Sequence, residues 1–156
     1  MANVNHSSLS DPYLHEPKGV AAASSGDVYV ADGAGSGVWT AKQTLVEEIF
    51  TGYLEDVSAV EKVYVPIPFA GTVTKIITVL EASIGSANST VTVKNAAGTS
   101  MGTITVAYSG SAAGDVDTLA PTSNNTVTAD SFITIESDGA STNTAKLRFV
   151  VVVERT

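Results

Sequence analysis

KVYVPIPFAGTVTKIITVL, residues 62–80, holds two runs of alternating apolar side chains with a glycine between them. Val63, Val65, Ile67 and Phe69 recur at period two, Gly71 breaks the run, and Val73, Ile77 and Val79 then share one face of a second run. Two strands joined by a tight turn have this pattern, so the stretch is expected to form a β-hairpin or a β-corner. Pro66 and Pro68 lack the N–H that a ladder needs, which puts the first strand at the edge or rim of its sheet.

The same β-branched alternation continues outward. STVTVKN (89–95) and MGTITVAY (101–108) read as strands, and TADSFITIES (128–137) and TAKLRFVVVVER (144–155) close the chain around the turn dipeptide Asp138-Gly139. The stretches 109–114 and 117–125, rich in Gly, Ser and Asn, read as loops with one short strand near Val116. Upstream, AKQTLVEEIF (41–50) is expected as a strand or an irregular linker. About eight short strands without a long helix argue an all-β fold, an antiparallel β-sandwich of jelly-roll kind over residues 50–156. Residues 1–49 differ: over the first 40 or so Ser, Ala, Gly and Asn dominate, with Pro12 and Pro17, and the only alternation there is Val28-Tyr29-Val30. They are expected to form an extended N-terminal arm and linker, too poor in apolar surface to fold alone.

At 156 residues the chain is long enough for one real core. Eight Lys and Arg against 16 Asp and Glu give a net charge of −8, which disfavours a nucleic-acid partner. The absence of Cys excludes disulfides, thiolate metal sites and a Cys nucleophile. MANVNHSSLSDP has neither the basic nor the apolar region of a secretory signal, and the longest aliphatic-aromatic run, Phe149 to Val153, is too short to span a bilayer. Synthesis in a cytoplasm and no membrane partner are expected.

Few patterns look chemical. Val28 to Gly37 runs from a strand into a Gly-rich loop, but Val38-Trp39-Thr40 follows where a nucleotide fingerprint needs a helix. A turn that lets Trp39 fold back or reach a pocket is the better reading. His6 and His15 both lie in the arm, so no triad or zinc cluster can form in the sandwich. Asp115, Asp117, Asn124 and Asp130 carry oxygens for a hard cation without calcium-loop spacing, and solvated loop carboxylates account for them. Glu47-Glu48 and Glu55-Asp56 are sequence neighbours that point apart on a strand. The expectation is a non-enzymatic protein without metal or cofactor.

Two strands are apolar on both faces. Ile76 and Leu80 are set against Val73, Ile77 and Val79, while Val150 and Val152 are set against Leu147, Phe149, Val151 and Val153. A sandwich strand needs one buried face, so Ile76, Leu80, Val150 and Val152 are expected at a subunit interface.

Tyr13-Leu14-His15-Glu16-Pro17-Lys18-Gly19-Val20, then Asp27 through Trp39 (DVYVADGAGSGVW), resembles the N-terminal segment of tailed-bacteriophage virion proteins, notably head decoration and head-fibre proteins. Val63-Tyr64-Val65-Pro66 through Ile76, with Gly114-Asp115-Val116-Asp117 later, is similar to the β-sandwich module of such proteins. The resemblance implies a homotrimer on the outer surface of an icosahedral head, cementing neighbouring major capsid proteins. It further implies that the arm binds the shell through Tyr13, His15, Glu16, Pro17, Lys18, Tyr29 and Trp39. The competing expectation is a tail or fibre module that binds a host receptor or glycan. Such a module calls for exposed aromatics on a sandwich loop, where the sequence offers Tyr108.

Overall fold

In the sandwich the β-branched runs become strands that switch sheets at nearly every connection, because each has one face to bury. The computed structural model describes residues 23–31, 34, 37–40 and 47–155, and among these every regular element is a β-strand. The chain divides into two units, residues 1–44 and 45–156.

In the first unit, β1 (Val28–Ala31) pairs antiparallel with β2 (Gly37–Thr40), Tyr29 opposite Trp39 and Val30 opposite Val38. This is the fold-back of Trp39 expected of the Gly-rich turn. A Cβ at Gly37 would lie 2.8 Å from Cε1 of the Tyr29 ring, so the missing side chain leaves room for that ring.

The second unit runs β3 (Glu47–Leu54), β4 (Lys62–Ile67), β5 (Gly71–Leu80), β6 (Ser89–Asn95), β7 (Ser100–Val106), β8 (Val116–Leu119), β9 (Thr126–Val127), β10 (Ser131–Ser137) and β11 (Leu147–Arg155). One sheet has the order β4-β10-β6-β7 and the other β3-β11-β5-β8, with the two-residue β9 beside β5. Setting β9 aside and counting from β3, the orders are second-seventh-fourth-fifth and first-eighth-third-sixth. That is the strand order of a jelly roll, and every pairing is antiparallel.

β4 and β5 therefore lie in different sheets, and the Pro68–Ala70 connection is a corner, not a hairpin. Pro66 sits on β4 opposite Phe132, and β4 is the edge strand that this proline requires, while Pro68 falls in the corner. At the corner Phe69 meets Phe50, ring centroids 5.9 Å apart, and the Arg155 guanidinium lies 4.5 Å above the Phe69 ring. The expected domain boundary at residue 50 falls inside β3, whose pairing with β11 begins at Glu47.

Inward residues of both sheets form one core, with Phe149, Leu54, Ile67, Ile76, Leu80, Ile133, Ile135 and Leu147 as its largest fully buried members. Strict alternation does not hold along β5. Opposite β11 the register slips between Val152 and Val153, which face Lys75 and Val73, leaving Thr74 as the extra residue of a bulge. The Thr74 hydroxyl donates to the Val152 carbonyl at 3.4 Å. Past the bulge the inward phase is Ile76, Thr78 and Leu80, while Ile77 and Val79 turn outward. Ile76 and Leu80 are thus core residues and offer nothing to a neighbouring subunit.

Candidate functional site

Three surfaces gather the side chains that can meet a partner. The first is the hairpin. Tyr29 and Trp39 meet edge-to-face on one side, centroids 5.3 Å apart and planes at 61°, while Val28, Val30 and Val38 stand exposed. The Trp39 indole N–H is buried without an acceptor among the described residues. Such a donor normally finds a partner, because leaving it unmade costs about 1–3 kcal/mol. Tyr13, His15, Glu16, Pro17 and Lys18 lie outside the described residues.

The second is the outer face of the five-stranded sheet. Val150 and Val152 project there from β11 and are half-buried, as the alternation of the last strand requires. The register sets Val150 between Thr51 and Ile77, and Val152 between Ile49 and Lys75. Val79 and Val116 extend the apolar strip, in which Ile49 is 63% and Val116 59% exposed. Charged groups rim it: Arg148 is paired with Glu81, and the Lys146 ammonium lies 4.3 Å over the Tyr53 ring and 2.9 Å from Glu55. A shallow depression of about 450 Å³ runs along Thr51, Tyr53, Arg148 and Val150.

The third surface, on the outer face of the four-stranded sheet, was not anticipated. Lys62 and Tyr64 point outward from β4, Phe132, Thr134 and Glu136 from β10, and Lys94 from β6. Register brings them together: Tyr64 and Lys94 flank Thr134, and Lys62 and Thr92 flank Glu136. Tyr64 and Phe132 meet edge-to-face at 5.3 Å and 67°. Glu136 lies between two ammonium groups, Lys94 at 2.6 Å and Lys62 at 2.9 Å, and accepts a hydrogen bond from the Thr134 hydroxyl at 3.0 Å. Lys94, then Lys62 and Thr134, hold its carboxyl down to about 2 against the opposing effect of burial, so it is ionised at any physiological pH. Together these side chains line a cleft of about 230 Å³ closed by the Asn95–Gly98 turn. Alternation within KVYVPI and SFITIES marks each residue as outward-facing, but the adjacency of β4, β10 and β6 is non-local and is not written in either run.

Asp56 and Asp115, among the other carboxylates, are engaged in turns. Asp56 closes a turn by accepting from the Ser58 N–H at 2.8 Å and hydroxyl at 2.6 Å, and from the Thr144 hydroxyl at 3.1 Å. The Ser58 hydroxyl leads the hydrogen bonds that lower its pKa, against burial. Asp115 accepts from the Ala112 N–H at 2.7 Å, while burial, aided by Asp115, raises the Asp117 carboxyl. Asn124 and Asp130 take positive φ angles of 56° and 53° in turns. Among the described residues no three His, Cys, Asp or Glu side chains gather as a metal site requires. Tyr108 is half-exposed beside the 109–114 loop, with its N–H donating to the Asn88 side-chain oxygen at 3.1 Å.

No protein-family model matches this chain, and no curated protein matches it.

Proposed function

We infer that this chain is a non-catalytic virion protein of a tailed bacteriophage, a decoration or cement protein on the outer surface of the head. It is made in the host cytoplasm and assembles onto the major capsid protein through its N-terminal unit. The observation that carries the reading is the hairpin: a two-stranded ribbon with aromatics on one side, exposed valines on the other and a buried indole N–H lacking an acceptor among the described residues. Ribbons of this size are marginal by themselves, and this one has the chemistry of a segment completed by another surface. The likeness of HEPKG and ADGAGSGVW to phage structural proteins supports a virion surface as that partner. Binding only the assembled shell, the protein would stabilise it by mass action.

In this reading the sandwich forms a homotrimer through the outer face of its five-stranded sheet, with Val150 and Val152 joined by Ile49, Ile77 and Val79. An apolar strip with a charged rim is the anatomy of an interface. Native mass spectrometry of the purified protein tests this; a monomer at micromolar concentration contradicts a self-standing trimer.

A second reading, a tail or fibre module that binds a host receptor, draws on the exposed Tyr64–Phe132 pair. Gold-labelled antibody on whole virions separates the two: label over the head supports decoration, and label confined to the tail replaces it with the second reading.

A further inference from the structure

We propose that the cleft formed by Tyr64, Phe132, Lys62, Lys94 and Glu136 is a binding site for a saccharide carrying an acidic group, such as a uronic or sialic-type sugar. The inference does not rest on where in the virion the protein sits.

Shape comes first. The rings of Tyr64 and Phe132, 59% and 37% exposed, stand at 67° to one another and make a two-walled aromatic corner. An aromatic face is the negative end of its quadrupole and accepts the polarised C–H groups of a sugar ring. Each ring buttresses the other, so little side-chain freedom is lost on binding. At about 230 Å³ the cleft is smaller than the roughly 300–1,000 Å³ usual for drug-sized ligands, which suits a single ring of an oligosaccharide.

Charge then selects the acidic class. Two ammonium groups and one carboxylate give the cleft a local charge of +1 in a chain of −8, Glu136 being the only acid on its wall among the described residues. Each ammonium has three N–H donors and gives one to Glu136, so donors remain on both. The neighbouring amide keeps a single N–H for a neutral sugar. The Asn95 side-chain oxygen accepts from the Ala97 and Thr99 N–H groups at 3.1 and 3.0 Å, and its amide nitrogen donates to the Asn124 carbonyl at 3.2 Å. Unspent hydrogen bonding thus sits mostly on cations, beside a platform that stacks a ring.

The test is saturation-transfer NMR and calorimetry on the full chain with glucuronate, N-acetylneuraminate, glucose, acetate and an Asp/Glu-rich peptide as probes. Expected are saturation of sugar ring protons and millimolar or tighter binding for at least one of the two acidic sugars. That binding should be at least tenfold tighter than for glucose or acetate and should weaken with added salt. Tyr64→Ala and Lys62→Gln alter exposed side chains and should each lower the affinity about tenfold in a chain that still folds and melts cooperatively. Three results overturn the proposal: no saturation by either acidic sugar, glucose bound as well as they are, or binding of the peptide alone, which would make the cleft a protein-docking surface.

Discussion

Gly52 sits mid-strand because Phe149 stands opposite it on β11, and a Cβ there would overlap the Phe149 ring. Gly52→Ala is therefore expected to force the largest core side chain from its place and cost about 1–3 kcal/mol, read as a lower denaturant midpoint at unchanged slope. Glu136 makes a second residue-scale prediction. Its folded-state pKa of about 2 lies below the ordinary carboxylate value, so its contribution is complete above pH 4.5 and is lost as the pH falls toward 2. With Lys62 half exposed to solvent the contribution is about 1–2 kcal/mol after screening. Melting temperatures of the native chain should fall through this window, and Glu136→Gln should flatten the fall. A native profile that is already flat between pH 4.5 and 2 contradicts the ion-pair geometry.

At the scale of elements, what could be read from sequence was whatever depends on neighbours along the chain. Alternation located the strands, and two prolines placed β4 at an edge. Strict alternation failed in β5, where the extra residue at Thr74 shifts the phase and carries Ile76 and Leu80 into the core. No residue in TVTKIITVL announces that bulge, because it arises from the register against β11, 70 residues and more away. The Tyr64–Phe132–Glu136 cluster was hidden for the same reason, being assembled by strands that are adjacent only in the finished sheet. β11 has no bulge within its own run and its alternation held, leaving Val150 and Val152 outward. Val152→Asp should accordingly leave the far-ultraviolet spectrum intact and, in the proposed trimer, shift the assembly toward monomer in light scattering by placing an unpaired charge in the contact. Ile76→Asp should instead prevent folding, because that side chain is fully buried. An Ile76→Asp protein that folds and merely dissociates would restore it to the interface.

For the whole molecule, labour divides between the two units. The sandwich holds the core and both sheets, so residues 45–156 alone should melt cooperatively. The N-terminal unit carries the hairpin aromatics, and if it anchors the chain to a shell as proposed, Tyr29→Ala or Trp39→Ala should each weaken that attachment by roughly 2 kcal/mol, as buried aromatic anchors do. The most direct measurement is occupancy by electron cryomicroscopy on heads that lack this protein, incubated with the full chain or with residues 45–156. The full chain is expected to appear as regular projecting density on the outer surface and the truncated chain to leave the shell bare. Equal occupancy by the two would move the attachment surface onto the sandwich, and bare shells with both would contradict head decoration itself.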